Sequence, residues 1–123
     1  MYANTARWRA YSRSSCTLAL VAAIDHGADA VYVGFRDQTN ARAFPGLNFT
    51  EADLRTGIGY AHARGRKVYI ALNTYPGPAR FGVWQAAVDH AAELGADAII
   101  CADLGVLDYA ARMHPALPRH LSV

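Results

Sequence analysis

Only two cysteines, Cys16 and Cys101, occur in the 123 residues. That excludes a disulfide-framed scaffold, and two thiolates are too few for an iron–sulfur cluster held in the usual four-thiolate manner. Long apolar runs are also lacking: none approaches the roughly 20 residues that cross a bilayer as a helix. Excess charge is lacking too. The 12 Lys+Arg against 10 Asp+Glu leave a net charge of +2, too little to indicate a nucleic-acid or acidic-membrane partner. Even that surplus belongs to the opening, where Arg7, Arg9 and Arg13 precede the first acidic residue, Asp25. The five histidines make no HxH or HExxH pattern, and no GxGxxG or GxxxxGK[ST] phosphate loop is present. What remains is a globular composition, 53% hydrophobic and 18% charged, in a length that suits one compact domain.

The Arg- and Ser-rich Met1–Ser15 followed by the apolar Thr17–Ile24 imitates a secretory signal or transit peptide. Thr17–Ile24 runs directly into a His-Gly-Ala-Asp-Ala turn with no plausible cleavage site, so it reads as a helix packed on a core. The expected compartment is the cytoplasm.

Beyond this point the pattern alternates. A helix over Thr17–His26 closes at Gly27, and Ala30–Phe35 (AVYVGF) is β-rich. Thr50 is placed to cap the next helix, with Asp53 completing a capping box and Phe49 and Leu54 at the positions of a hydrophobic staple. Its stripe of Leu54, Ile58 and Ala61 ends near Gly65. A second strand is expected at Lys67–Leu72. Phe81, Trp84, Val88 and Ala91 mark the next helix, ended by Gly95, and Ala98–Ala102 a third strand. Leu104–Met113 reads as a short helix, and Leu121–Val123 as the start of another apolar run.

Two segments repeat, HGADAVYV and LGADAIIC, with Gly27 and Gly95 68 residues apart and Gly65 between them. About 34 residues per unit suits a strand plus its crossover helix, and near-continuous apolar strands suit a parallel sheet. The expectation is an α/β fold, the N-terminal part of a (β/α)8 TIM-like barrel. A whole barrel takes about 250 residues, so roughly half is represented. A small doubly wound sheet, with Gly34 and Asn73 near its switch point, is the alternative.

In such folds functional groups lie at the carboxyl ends of strands. Those ends carry Arg36 and Asp37, Asn73 and Thr74, and Asp103. Asn73 suits the orientation of a substrate carbonyl or hydroxyl, although loop asparagines more often satisfy their own turn. Asp103 suits a polar ligand, but equally the N-cap of Leu104–Met113. The loop Arg36–Phe49 (RDQTNARAFPGLNF) is the most unusual segment, and Arg42 in it suits a bidentate clamp on a carboxylate or phosphate. Arg36, Asn40, Arg42, Asn48, Asn73 and Asp103 are the candidate substrate-binding residues. His26, His62 and His90 lie near helix C-termini, where a cation is favoured. Cys101 reads as core, and His62, Arg64, Arg66 and Lys67 as a solvated helix end.

GADAVYVGF, TNARAFPGLNFTEADL, LNT and WQAAVDHAAELGADAIICADLGVLDYA resemble the collagenase-like peptidase family U32, and the TNAR-x-F-x-GLNFT form resembles its ubiquinone-biosynthesis branch, the UbiU-like proteins. The resemblance covers Thr17–Val123 and implies a barrel-like domain. It also implies a UbiV-like partner in a heterodimer, a 4Fe-4S cluster in each full-length protein, and oxygen-independent hydroxylation of a ubiquinone precursor ring. Other branches of the family are proteases or act in hydroxylation of RNA bases. The cluster cysteines implied by the family lie downstream of Val123, so no cofactor is expected on this segment. The family's opening CPAG falls on Ser12–Ser15, which reads SRSS. Residues 1–16 are therefore an atypical segment, and 17–123 is expected to be part of a UbiU-like barrel, an N-terminal fragment. A protease, an RNA-hydroxylation factor and a truncated product without activity are the alternatives. No nucleophile–base pair supports the peptidase name.

Overall fold

The computed structural model describes residues 15–41 and 49–122. Along them run α1 (Ser15–Asp25), β1 (Ala30–Gly34), α2 (Glu51–His62), β2 (Lys67–Leu72), a 3-10 turn (Pro78–Arg80) leading into α3 (Phe81–Glu93), β3 (Ala98–Cys101), α4 (Leu104–Met113) and β4 (Arg119–Leu121). The strands form one sheet in the order β1-β2-β3-β4 with every pairing parallel. The three expected strands are present, in sequence and in parallel. The fold is α/β.

Local chemistry explains the elements. Thr50 Oγ1 accepts from the Asp53 amide at 3.2 Å, while Asp53 Oδ2 accepts from the Thr50 amide at 3.3 Å. This is the expected capping box at the start of α2. Gly27, Gly65 and Gly95 each follow a helix with φ of +95°, +68° and +80°, a region closed to most L side chains. A fourth strand lies where the sequence shows only an apolar run beginning at Leu121. The strand is Arg119–Leu121, two residues earlier than Leu121–Val123. Pairing begins directly after Pro118, whose carbonyl accepts from Ile99 N at 3.0 Å. The polar Arg119 and His120 hide the strand from a hydrophobicity reading.

Side-chain alternation gives the sheet two unlike faces. Val33, Val68, Ile70, Leu72, Ile99 and Cys101 are buried on one, the face against which the helices pack. On the other face Tyr32 is 67% exposed, His120 is exposed, and Tyr69 and Ile100 are half-buried. A doubly wound sheet carries helices on both faces. Among the described residues helices cover one, as in part of a barrel. The α1–α2 contact is close: a Cβ on Gly57 would stand 2.8 Å from Leu20 Cδ1.

The repeated Gly-Ala-Asp-Ala segments brace the amino ends of the strands. Asp97 Oδ2 accepts from Val68 N and meets His62 Nε2, both at 2.8 Å. Asp29 accepts from Arg66 at 2.6 Å, and its carbonyl takes the Lys67 amide. Arg64 lies 3.4 Å above the Tyr60 ring. His62 and Arg66 of the expected solvated basic group thus have partners from neighbouring turns, and Arg64 has one in the helix that precedes it.

Candidate functional site

The carboxyl ends of β1 and β2 are tied together by their loops. Beyond β1, Asp37 Oδ1 accepts from Thr39 N at 2.8 Å and from Thr39 Oγ1, an Asx-type turn. Thr39 is fully buried and Asn40 nearly so. Three bonds then cross to the β2 loop. Asn73 Oδ1 accepts from Ala41 N at 2.9 Å, Thr74 Oγ1 donates to the Gln38 carbonyl at 2.6 Å, and Arg80 donates to Gln38 Oε1 at 2.7 Å. These contacts fix residues 37–41 against β2.

Asn40 turns back over the sheet. Its Nδ2 lies 3.5 Å from the Phe35 carbonyl, and its carboxamide occupies the place where a side chain on Gly34 would begin. Gly34 is the register partner of Ala71, so two residues of minimal bulk end the uncovered face at this rim.

The sequence candidates fare differently. Asn40 and Asn73 are brought together by the Ala41 bond. Asn73 does not satisfy its own turn, since its partner lies 32 residues away. Arg36 is exposed at the end of β1. Asp103 follows β3 and its Oδ2 accepts from Val106 N at 3.0 Å, so it caps α4. Arg42 and Asn48 lie outside the described residues. Gln38 and Arg80 also belong to this rim, though nothing local in the sequence marks them, since their contact spans 42 residues.

Behind the rim, Glu51 accepts from Arg55 at 2.8 Å and pairs with His90 at 3.2 Å, and these bonds hold its carboxyl below the usual range. The His90 ring stacks on Phe35, with centroids 5.8 Å apart. A second cluster joins α3 to α4. Asp89 accepts from Tyr109 Oη at 3.0 Å and meets His114 Nε2 at 2.7 Å. Loss of solvation, and then the Asp89 carboxylate, raise the Tyr109 phenol. The first cluster lies against Phe35, just past the carboxyl end of β1, and ties α2 to α3, while the second locks α3 to α4.

Cys101 is fully buried, and loss of solvation pushes its thiol up to about 11, with the Asp103 charge adding to the effect. The described residues include no group of three or more His, Cys, Asp or Glu able to hold a metal ion. The donor set present here does not fit an iron–sulfur cluster. Nor is any helix among them long and apolar enough to cross a membrane.

Comparison with known proteins agrees with the fold. Residues 17–123 match the family model for peptidase family U32. The chain is 39% identical to tRNA hydroxylation protein P of Helicobacter pylori over 81% of its own length and 24% of that protein. It is 35% identical to tRNA hydroxylation protein P of Escherichia coli, over 82% and 22%. It is also 41% identical to an uncharacterized protease of Methanocaldococcus jannaschii, over 74% and 22%. The chain thus spans about a quarter of the length of these relatives. No solved structure matches it significantly. A parallel sheet built from repeating strand–helix units, one face covered and loops tied at its carboxyl rim, together with a match over nearly the whole sequence, makes this chain a member of peptidase family U32.

Proposed function

We propose that this segment forms the first part of a UbiU-like protein that supports oxygen-independent hydroxylation of a ubiquinone precursor ring with a UbiV-like partner. The observation that carries the reading is the TNARAFPGLNFT segment, which leaves the carboxyl end of β1. A hydroxylation role for relatives, by their names, supports the general chemistry. The rim contributes hydrogen-bonding groups rather than a nucleophile. Asn73 and Arg36 are donors at the ends of adjacent strands. They suit holding an oxygen-bearing substrate while redox chemistry is supplied from elsewhere in the assembly. The setting is the cytoplasm.

The second reading is hydroxylation of an RNA base, favoured by the two tRNA hydroxylation relatives. The charge distribution favours the ring. Beyond residue 16, nine basic side chains face ten acidic ones, whereas proteins that track phosphodiester chains present a basic surface. The test is to express the full-length protein in anaerobic cells that lack their own UbiU-like protein, then measure ubiquinone and hydroxylated tRNA in the same extracts. Restored ubiquinone supports the proposal. Restored tRNA hydroxylation without ubiquinone transfers the assignment to the second reading, and restoration of neither overturns both.

A further inference from the structure

We infer that Asn73 is a substrate-contacting residue, whose Nδ2 donates a hydrogen bond to a carbonyl or hydroxyl oxygen of the ring or base being hydroxylated. This rests on the hydroxylation reading above and adds the atom that does the recognising.

Three observations support it. First, the orientation of the carboxamide is fixed by chemistry. Only the oxygen of Asn73 can accept from Ala41 N, at 2.9 Å, so Nδ2 must face away from that loop. Second, that nitrogen is left with work to do. Asn73 is half-buried, and among the described residues Nδ2 has no hydrogen-bond partner. A half-buried donor without a protein partner calls for water or a ligand oxygen. Third, the position is at the rim. Asn73 continues the alternation Lys67, Tyr69, Ala71 along the uncovered face of β2, just beyond the point where Ala71 pairs with Gly34. It stands beside the Asn40 carboxamide that fills the space over Gly34, at the end of the sheet where α/β folds bind their ligands.

Apart from the exposed Arg36, most other side chains at this rim are committed. Asp37 is bound to Thr39, Asp103 to the α4 amide of Val106, Thr74 and Arg80 to Gln38. Asn73 alone combines an anchored acceptor with a donor that has no partner among the described residues. Its oxygen sets the loop and its nitrogen reads the substrate.

The test uses Asn73→Asp in the full-length protein. The carboxylate is isosteric and still accepts from Ala41 N, so the loop tie survives, but the donor is replaced by an anionic acceptor facing the substrate oxygen. Thr74→Val is the companion, since it removes the Gln38 tie and leaves the Asn73 donor intact. Soluble protein and melting temperature report folding, and ubiquinone and hydroxylated tRNA are quantified together per unit of protein. Asn73→Asp is expected to lower whichever product the wild type makes by about tenfold or more, with folding unchanged, because a site built to donate a hydrogen bond then presents repulsion. Thr74→Val is expected to lower it by less. Retention of product by Asn73→Asp overturns the inference, as does an equal loss in both variants, which reduces Asn73 to a loop anchor. Absence of both products in the wild type instead defeats the functional reading on which the inference rests.

Discussion

The side chain of Asn40 occupies the space that Gly34 leaves vacant. A Cβ on Gly34 would stand 2.1 Å from Asn40 Nδ2 and 2.9 Å from Asn40 Cβ, closer than real atoms approach. The strand end and the loop that follows it are therefore complementary, and neither residue can change size alone. Gly34→Ala should drive the Asn40 carboxamide off the sheet and break its approach to the Phe35 carbonyl. A loss of about 1–3 kcal/mol is expected from overpacking. Asn40→Gly should recover a large part of that loss when combined with Gly34→Ala. Denaturant unfolding of both single variants and the double variant checks this, and additive effects would mean the two residues do not touch in solution.

Trp84 offers a contrasting case. Its ring is 3% exposed, and its indole N–H has no hydrogen-bond partner among the described residues. An orphan buried donor costs about 1–3 kcal/mol. Trp84→Phe removes the donor while keeping most of the apolar bulk, so the two effects should nearly cancel and leave stability within about 1 kcal/mol of wild type. Trp84→Ala removes the bulk as well and should cost about 3–5 kcal/mol. A Phe variant as damaged as the Ala variant would show that the N–H has a partner after all.

Much of this architecture is legible in the sequence because it is written locally. The glycines that close helices, the Thr50–Asp53 box and the apolar runs of β1, β2 and β3 each declare themselves within a few residues. Asp103 was readable as a cap for the same reason. What stayed hidden depends on distant partners. The Asn73–Ala41 bond spans 32 residues, the Arg80–Gln38 bond 42 and the His114–Asp89 contact 25. No periodicity encodes them. β4 escaped because its pairing with β3, rather than its own composition, makes it a strand.

The buried thiol gives a pH dependence with a definite sign. Burial pushes the Cys101 thiol from its ordinary value of 9.0 up to about 11. A group whose folded pKa is raised contributes stability that is complete below its unfolded pKa and is lost as pH climbs toward the folded value. The denaturation midpoint should therefore fall between about pH 9 and 11, and Cys101→Ala should flatten that fall. Flattening should be partial, since the Tyr109 phenol is raised as well. At pH 8 a thiol reagent should leave Cys101 unmodified in the folded protein and alkylate it in guanidinium, as read by mass spectrometry. Rapid native labelling of Cys101 would contradict its burial.

The uncovered face sets the last expectation, for the 123-residue chain expressed alone. Tyr32 is 67% exposed and Leu121 53% exposed, on opposite faces of the sheet, and β4 ends the described sheet with a row of backbone groups unpaired on its outer side. Such an edge templates further pairing unless charge or a cover blocks it. Net stability is about 5–15 kcal/mol in a complete domain, the small remainder of much larger opposing terms. A sheet covered on one side keeps only part of the favourable terms. The chain should therefore run as a self-associated species in sizing, and light scattering should show the apparent mass rising with concentration. It should also fail to take up a four-iron cluster on anaerobic reconstitution with iron and sulfide, because four thiolates are needed, the sequence has two, and Cys101 is held protonated in the core. A cooperative monomer would show that one covered face suffices for stability. Full cluster absorbance with four irons per chain would show that ligands other than thiolates complete the site.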